Sequence, residues 1–301
     1  MSATQGERLG WLGTGRMGTA MAGRLLDGGA EVSVWNRTAA KTGPLVERGA
    51  TAVATIDALA GASDIVLVMV SADPDLLAVT TGADGLLSAR RPPEVMVDCS
   101  TVSAEASAEV RRAAEASGVA FLAAPISGNP QVVGAGAGSI VASGSQGVYE
   151  RVRPYLEMIA PSVTRVGPAE ESRLVKICHN LMVGMVTQAL VEVTALAEKG
   201  GVDRAEFLDF IGGSALGSPF VRAKGRALAD RDYTPTFTTR LLRKDFDLGM
   251  GAARELEVPM PVGALVRQLV QSAIGQGYGE ADFVALYEVE ARTAGMRDGA
   301  A

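Results

Sequence analysis

Gly13-Thr14-Gly15-Arg16-Met17-Gly18 constrains the fold of this chain more than any other stretch. The six residues follow a short apolar run, "ERLGWLG", and open "TGRMGTAMAGRLLDGG", which has helical spacing and ends in glycines suited to a C-cap. G-x-G-x-x-G is a weak signal where glycine is this abundant, with 36 in the chain, and a plain structural turn competes with it. The strand–turn–helix setting makes it specific. Gly13 permits the tight turn, Gly15 lets backbone approach a pyrophosphate, and Gly18 lets helix and strand pack closely. The N–H groups of the helix start, from Arg16 and Met17 onward, then face phosphate oxygens beside Thr14.

The end of the next strand selects the dinucleotide. A site for NAD ordinarily carries Asp or Glu about 20 residues past the glycines, bonded to the ribose 2′-hydroxyl. Here Asn36-Arg37-Thr38 stands at that place. A carboxylate would repel a 2′-phosphate, whereas a guanidinium and a hydroxyl would hold one. The pattern therefore favours NADP(H) over NAD(H); the competing reading makes Arg37 a solvated residue at a helix start. Met69, Val70 and Ser71, ending the apolar run "SDIVLVMVS", are expected at the same site.

Strands and helices alternate through the first half. "AEVSVWNR", "SDIVLVMVS", "EVMVDCS", "VAFLAAP" and "GSIVASG" read as further strands, with "TAAKTGPLVERG" and "TVSAEASAEVRRAAEASG" as helices, Pro44 marking a helix start or break. Such alternation implies an α/β Rossmann-type domain with a mostly parallel, doubly wound sheet. The pattern changes near Val163 to Gly167. Beyond it only helical periodicity is found, over about 168–199, 203–213, 218–230, 237–257, 261–276 and 282–295. The expected organisation is a cofactor domain over 1–167 and an all-α domain over 168–301. The first of these helices is apolar nearly all round, so it should be buried on several sides, in part against a second subunit.

Composition narrows the partners. A net charge of −6 and the absence of a long Lys/Arg run argue against nucleic acid. Leu181 to Leu196 is the most apolar stretch, but Gln188 and Glu192 interrupt it, which favours a buried helix over a membrane span. Cys99 and Cys178 show no metal-ligand spacing and read as reduced thiols; no metal is expected. The start "MSATQGERLGWLGTG" lacks the pattern of a secretory signal, and a cytoplasmic protein is expected.

"RLVKICHN" poses the chemical question, because it sets a lysine, the chain's one histidine and an asparagine within about one helical turn. Lys176 and Asn180, four apart, share a helix face. A carbonyl that accepts a hydride gains negative charge on oxygen, which a nearby ammonium can stabilise and protonate. Lysine's usual pKa of about 10.4 is high for this task, but burial and a neighbouring cation lower it. A snorkelling surface lysine is the alternative. His179 has the natural pKa for proton transfer, yet it lies about 100° around the helix from Asn180, so a supporting role is favoured over direct contact. Ser127-Gly128-Asn129 follows a strand end, where open α/β sheets bind ligands, and its hydroxyl and N–H groups could cradle an anion or form a mere turn. Ser100-Thr101, also at a strand end, could cap the following helix.

Four blocks taken in order resemble the β-hydroxyacid dehydrogenase family, which includes 3-hydroxyisobutyrate dehydrogenases and glyoxylate/succinic semialdehyde reductases. They are "GWLGTGRMGTAMAGRLL", "DCST" with "APISGNPQVVGAGAGSI", "KICHN", and "FTTRLLRKDFDL". The resemblance covers nearly the whole chain and implies hydride transfer between a small β-hydroxy acid and its semialdehyde. It implies Lys176 as general acid/base and Asn180 as orienting residue. Ser127, Gly128 and Asn129 would hold the substrate carboxylate. Thr101 would sit near nicotinamide ribose and substrate, Phe237 would line the substrate cavity, and Lys244 would approach cofactor or substrate. Asn129 replaces a family glycine and His179 a family asparagine, and Ala104 stands where proline is frequent. Asn129 brings an amide into the anion pocket and resembles the glyoxylate/semialdehyde reductase branch. An imine reductase shares fold and cofactor but typically lacks the lysine; a non-catalytic cofactor-binding module is the second rival.

Overall fold

A computed structural model describes residues 6–296; the first five residues of the start read above, "MSATQ", and the last five of the chain lie outside the described residues. The chain falls into two compact units, one ending at Lys176 and one starting at Ile177.

The first unit is built on a nine-stranded sheet. Its strands are β1 (Leu9–Leu12), β2 (Val32–Trp35), β3 (Thr51–Ala52), β4 (Ile65–Val68), β5 (Val95–Asp98), β6 (Ala120–Ala123), β7 (Ile126–Ser127), β8 (Ser139–Gly144) and β9 (Ser162–Gly167). Their order is β3-β2-β1-β4-β5-β6-β8-β7, with β9 paired to β8. Pairing from β3 to β6 is parallel, β6 and β7 run antiparallel to β8, and β9 returns parallel to β8. The order reverses between β1 and β4, and ligands of such sheets bind outside the carboxyl ends at that reversal.

Both sheet faces are covered, which is why the central strands are apolar without alternation. Leu9, Trp11, Ile65, Leu67, Val95, Val97 and Leu122 join one buried cluster with Met21 and Leu25 of the helix Arg16–Asp27. Leu12, Val66, Val68, Met96 and Phe121 join another with Leu59, Leu76 and Val110 from helices on the opposite face. Pro44 sits in the first turn of the short helix Gly43–Val46, where its missing N–H is harmless.

The second unit is helical among the described residues. It holds most of the long helix Glu171–Lys199, then Arg204–Gly213, Pro219–Ala229, Thr239–Glu255, Pro261–Ala273 and Leu286–Thr293. The expected helix starting near 168 begins instead at Glu171, and the division of the chain falls inside it. By length and hydropathy the long helix could span a membrane, but half of its most apolar window is buried within the protein. Its first turn belongs to the sheet. Ser143 Oγ and Ser172 Oγ lie 2.7 Å apart, and Ser143 Oγ donates to Ala169 O at 2.7 Å.

Further along, the long helix packs closely on its neighbours through glycine. A Cβ at Gly184 would lie 2.3 Å from Phe246, whose side chain is fully buried. Gly184→Ala should therefore lower unfolding free energy by about 1–3 kcal/mol through overpacking. Gly251, on the helix Thr239–Glu255, has nothing within 4 Å of such a Cβ. Gly251→Ala should leave stability unchanged or raise it by up to about 1 kcal/mol. Urea titration of both variants checks the contrast.

Candidate active site

The glycine turn at the β1 carboxyl end is fixed by steric need. Gly13 has φ +97°, and a Cβ there would lie 2.1 Å from Met69 O. A Cβ at Gly18 would lie 1.9 Å from Gly13 O. Gly15 differs, since a Cβ there would meet nothing within 4 Å. The protein does not itself require that glycine; its absent side chain leaves room over the start of the helix Arg16–Asp27. No side chain caps that start and no acidic residue lies in its first turn, as an anion site needs.

Asn36 and Thr14 brace the loop. Thr14 N–H donates to Asn36 Oδ1 at 3.0 Å, Asn36 Nδ2 donates to Thr38 O at 3.0 Å, and Thr14 Oγ1 donates to Lys41 O at 3.0 Å. The Asn36 amide thus joins the glycine turn to the β2 turn. Arg37 behaves otherwise: its side chain is 83% exposed and its Nη1 pairs with Asp75 at 3.2 Å.

The next turns lie along the same carboxyl edge. Met69 N–H donates to Leu12 O at 2.9 Å and Val70 N–H to Ser100 Oγ at 3.0 Å. Ser71 is exposed and follows directly. Ser100 is buried and Thr101 half-buried. The cap of the following helix, Ala104–Ala116, is Ser103, whose Oγ accepts the Ala106 N–H at 3.1 Å. This corrects the expectation that Ser100-Thr101 caps it: the helix starts later, and Ser100 Oγ serves Val70 instead. Ser127 closes β7, and Gly128 follows at φ +128°, where a side chain would be strained. Asn129 Oδ1 accepts the Val132 N–H at 2.9 Å and caps the helix Pro130–Gly134. The cap engages the amide oxygen of Asn129.

Lys176 and Asn180 are both buried, with 7% and 6% of their surfaces exposed. Lys176 ends the first unit and Asn180 lies in the second, on one continuous helix. Asn180 Nδ2 donates to Asp245 Oδ2 at 2.6 Å, and its Oδ1 lies 3.0 Å from His179 Nδ1. An amide oxygen only accepts, so the proton there belongs to His179 Nδ1. His179 is exposed and steadies Asn180. The other Asp245 oxygen lies 3.3 Å from Lys244 Nζ, at ion-pair distance without a directed hydrogen bond. Phe237 packs edge-on against Phe283, ring centroids 6.0 Å apart.

Sequence reasoning missed Asp245, Asp98 and Arg173. Asp245 is 1% exposed. Asp98 and Arg173 form a buried ion pair at 2.6 Å. A charge ending the apolar run "VMVD", and another within an apolar helix, were the available signals, since charges are rarely buried unpaired. Burial pushes the neighbouring Cys99 thiol up, which disfavours its thiolate. Among the described residues no His/Cys/Asp/Glu group could hold a metal ion.

Residues 8–167 match the family model for the NAD binding domain of 6-phosphogluconate dehydrogenase. Residues 171–289 match the model for NAD-binding of NADP-dependent 3-hydroxyisobutyrate dehydrogenase. Glyoxylate/succinic semialdehyde reductase 1 of Arabidopsis thaliana is 30% identical over 280 residues, which is 93% of this chain and 97% of that protein. The crystal structure of a 3-hydroxyisobutyrate dehydrogenase from Salmonella typhimurium superposes with a TM-score of 0.86 at 27% identity, covering 94% of this chain and 100% of its own. An imine reductase from Aspergillus terreus, also 27% identical and covering 95% of this chain and 100% of its own, reaches a TM-score of 0.63 and is structurally more distant.

The chain therefore uses a nicotinamide dinucleotide, and the turn at Gly13–Gly18 fits its pyrophosphate: room at Gly15, an uncapped helix start, and no carboxylate nearby on that helix. Gly15→Ala should fold with unchanged melting temperature but bind the dinucleotide about tenfold more weakly, because the methyl fills that room. Gly13→Ala should lose stability as well, from the clash with Met69 O. Thermal melts and cofactor fluorescence titrations separate the two outcomes.

Proposed function

Because this chain belongs to the β-hydroxyacid dehydrogenase family, we propose that it interconverts a small β-hydroxy acid and its semialdehyde, or reduces glyoxylate or succinic semialdehyde, with NADP(H). The observation that carries the reading is the burial of Lys176, about one turn past a helix start whose Arg173 donates to Asp98 at the end of β5. In the reductive direction the bound nicotinamide supplies a hydride to the carbonyl carbon. As charge grows on the carbonyl oxygen, the Lys176 ammonium stabilises it and donates a proton to that oxygen. In the oxidative direction the amine takes the hydroxyl proton back. Asn180, held by Asp245 and His179, orients the lysine or the substrate. The Ser127 hydroxyl and the backbone at Gly128 and Asn129 hold the substrate carboxylate, with Thr101 nearby. Phe237 shapes the substrate side, and Lys244 approaches cofactor or substrate.

The exposed guanidinium of Arg37 supports NADP(H) over NAD(H), since a 2′-phosphate could accept from it directly. Residues 1–167 serve the cofactor, and 168–301 serve substrate and subunit contacts. Met182, Val193 and Leu196 of the long helix are 59%, 44% and 74% exposed, which supports a homodimer covering that stripe. Two free thiols agree with a reducing cytoplasm.

Steady-state assays with glyoxylate, succinic semialdehyde, methylmalonate semialdehyde, tartronate semialdehyde, 3-hydroxy acids and a cyclic imine test this reading. A carboxylate-bearing aldehyde or hydroxy acid should turn over; turnover of the imine alone would contradict it. Lys176→Ala should lower kcat by about 10²–10⁴-fold with NADPH binding kept, and His179→Asn far less. A second expectation concerns the cofactor. Arg37→Ala should raise KM for NADPH about tenfold or more and leave that for NADH unchanged, as loss of hydrogen bonds to a charged group implies.

A further inference from the structure

We propose that Arg173 is a positioning residue: its buried ion pair with Asp98 fixes the first turn of the long helix, and so Lys176, against the turn that carries Ser100 and Thr101. The inference rests on the reading of Lys176 given above.

Arg173 is 2% exposed and Asp98 fully buried. Each nitrogen of the guanidinium has its own acceptor. Nη2 donates to Asp98 Oδ2 at 2.6 Å, Nη1 to Ser100 O at 2.6 Å, and Nε to Ser107 Oγ at 3.0 Å. Three acceptors in three directions fix the plane of the group, as a single ammonium could not. The other Asp98 oxygen accepts the Ser100 N–H at 3.0 Å, so one carboxylate holds both the arginine and the turn. Ser100 Oγ in turn accepts the Val70 N–H. Behind this group, Ser107 donates to Glu170, whose carboxylate pairs with Arg111 at 2.6 Å. Two arginines and two carboxylates thus balance in a site that solvent does not reach freely.

The network ties together the turn after β4, the turn after β5, and the helix start. Lys176 lies three residues beyond Arg173, hence nearly above it on the same helix flank. A buried ion pair is a poor device for stability alone, because apolar residues of similar volume commonly serve as well or better. What it supplies is direction. A lysine placed about 1 Å off its target loses catalytic power even when everything else binds normally.

Two variants test this. Arg173→Lys keeps the charge and loses the fork; Arg173→Met with Asp98→Asn removes both charges, so no unpaired ion is left buried. For each, melting temperature, affinity for the reduced dinucleotide, and kcat per bound dinucleotide are measured on the best substrate of the panel. Both should bind the dinucleotide within about threefold of the parent, while kcat per bound dinucleotide falls about tenfold or more. Arg173→Lys should retain more turnover than the double variant. A merely structural role would lower the folded fraction and leave turnover per bound dinucleotide unchanged. The proposal is overturned if either variant binds the dinucleotide and turns over within about twofold of the parent. If Lys176→Ala is inactive while both variants turn over normally, the positioning role alone is overturned; if Lys176→Ala stays active, the lysine reading fails and this inference falls with it.

Discussion

A charge can be buried only where something meets it, and the long helix buries three strongly polar side chains within eight residues: Arg173, Lys176 and Asn180. Asp98 meets the first and Asp245 the third. Lys176 therefore sits between two carboxylate anchors, one three residues before it and one reached four residues after it. The Asp98 contact lies within the first unit and the Asp245 contact within the second. Each anchor is itself held: Asp98 by the Ser100 N–H, and Asp245 by the lysine beside it in sequence. The apolar majority of the helix supplies packing, and the carboxylates supply register.

The sheet provides the other constraint. Its parallel strands end along one edge, and the order reverses between β1 and β4, so the turns after β1, β2, β4 and β5 share that edge. Each turn is chosen by a specific demand. Gly13 and Gly18 answer crowding, whereas Gly15 answers none within the protein. That contrast identifies the place left for a ligand better than the motif does. Asn36 illustrates how a residue at a binding edge can act through the backbone, since its amide is spent on Thr14 and Thr38.

Much of this was legible in the sequence, for physical reasons. Strands buried on both faces leave unbroken apolar runs, and helices leave their period, so β1, β2, β4, β5, β6 and β8 and the six helical stretches after 168 were readable. β3 and β7, at two residues each, are too short to carry a pattern. β9 is the half-exposed "SVTRVG", whose pairing depends on β8 rather than on its own apolarity. The site divided in the same way. Local relations, such as Lys176 with Asn180 or the glycine spacing, could be derived from helical repeat and turn sterics. Asp98 with Arg173, 75 residues apart, and Asn180 with Asp245, 65 apart, could not, because only the folded sheet and bundle bring them together. Asn129 has a local role that was readable: an asparagine before Pro130 is a helix-start pattern, and its Oδ1 caps that helix.

The most direct test of the account is a crystal structure of the chain with oxidised dinucleotide and a hydroxy acid bound. Lys176 Nζ should lie about 3 Å from the substrate hydroxyl, with the substrate carboxylate on Ser127 and Gly128. A hydroxyl that contacts His179 or bulk water, with the Lys176 amine directed elsewhere, would contradict it.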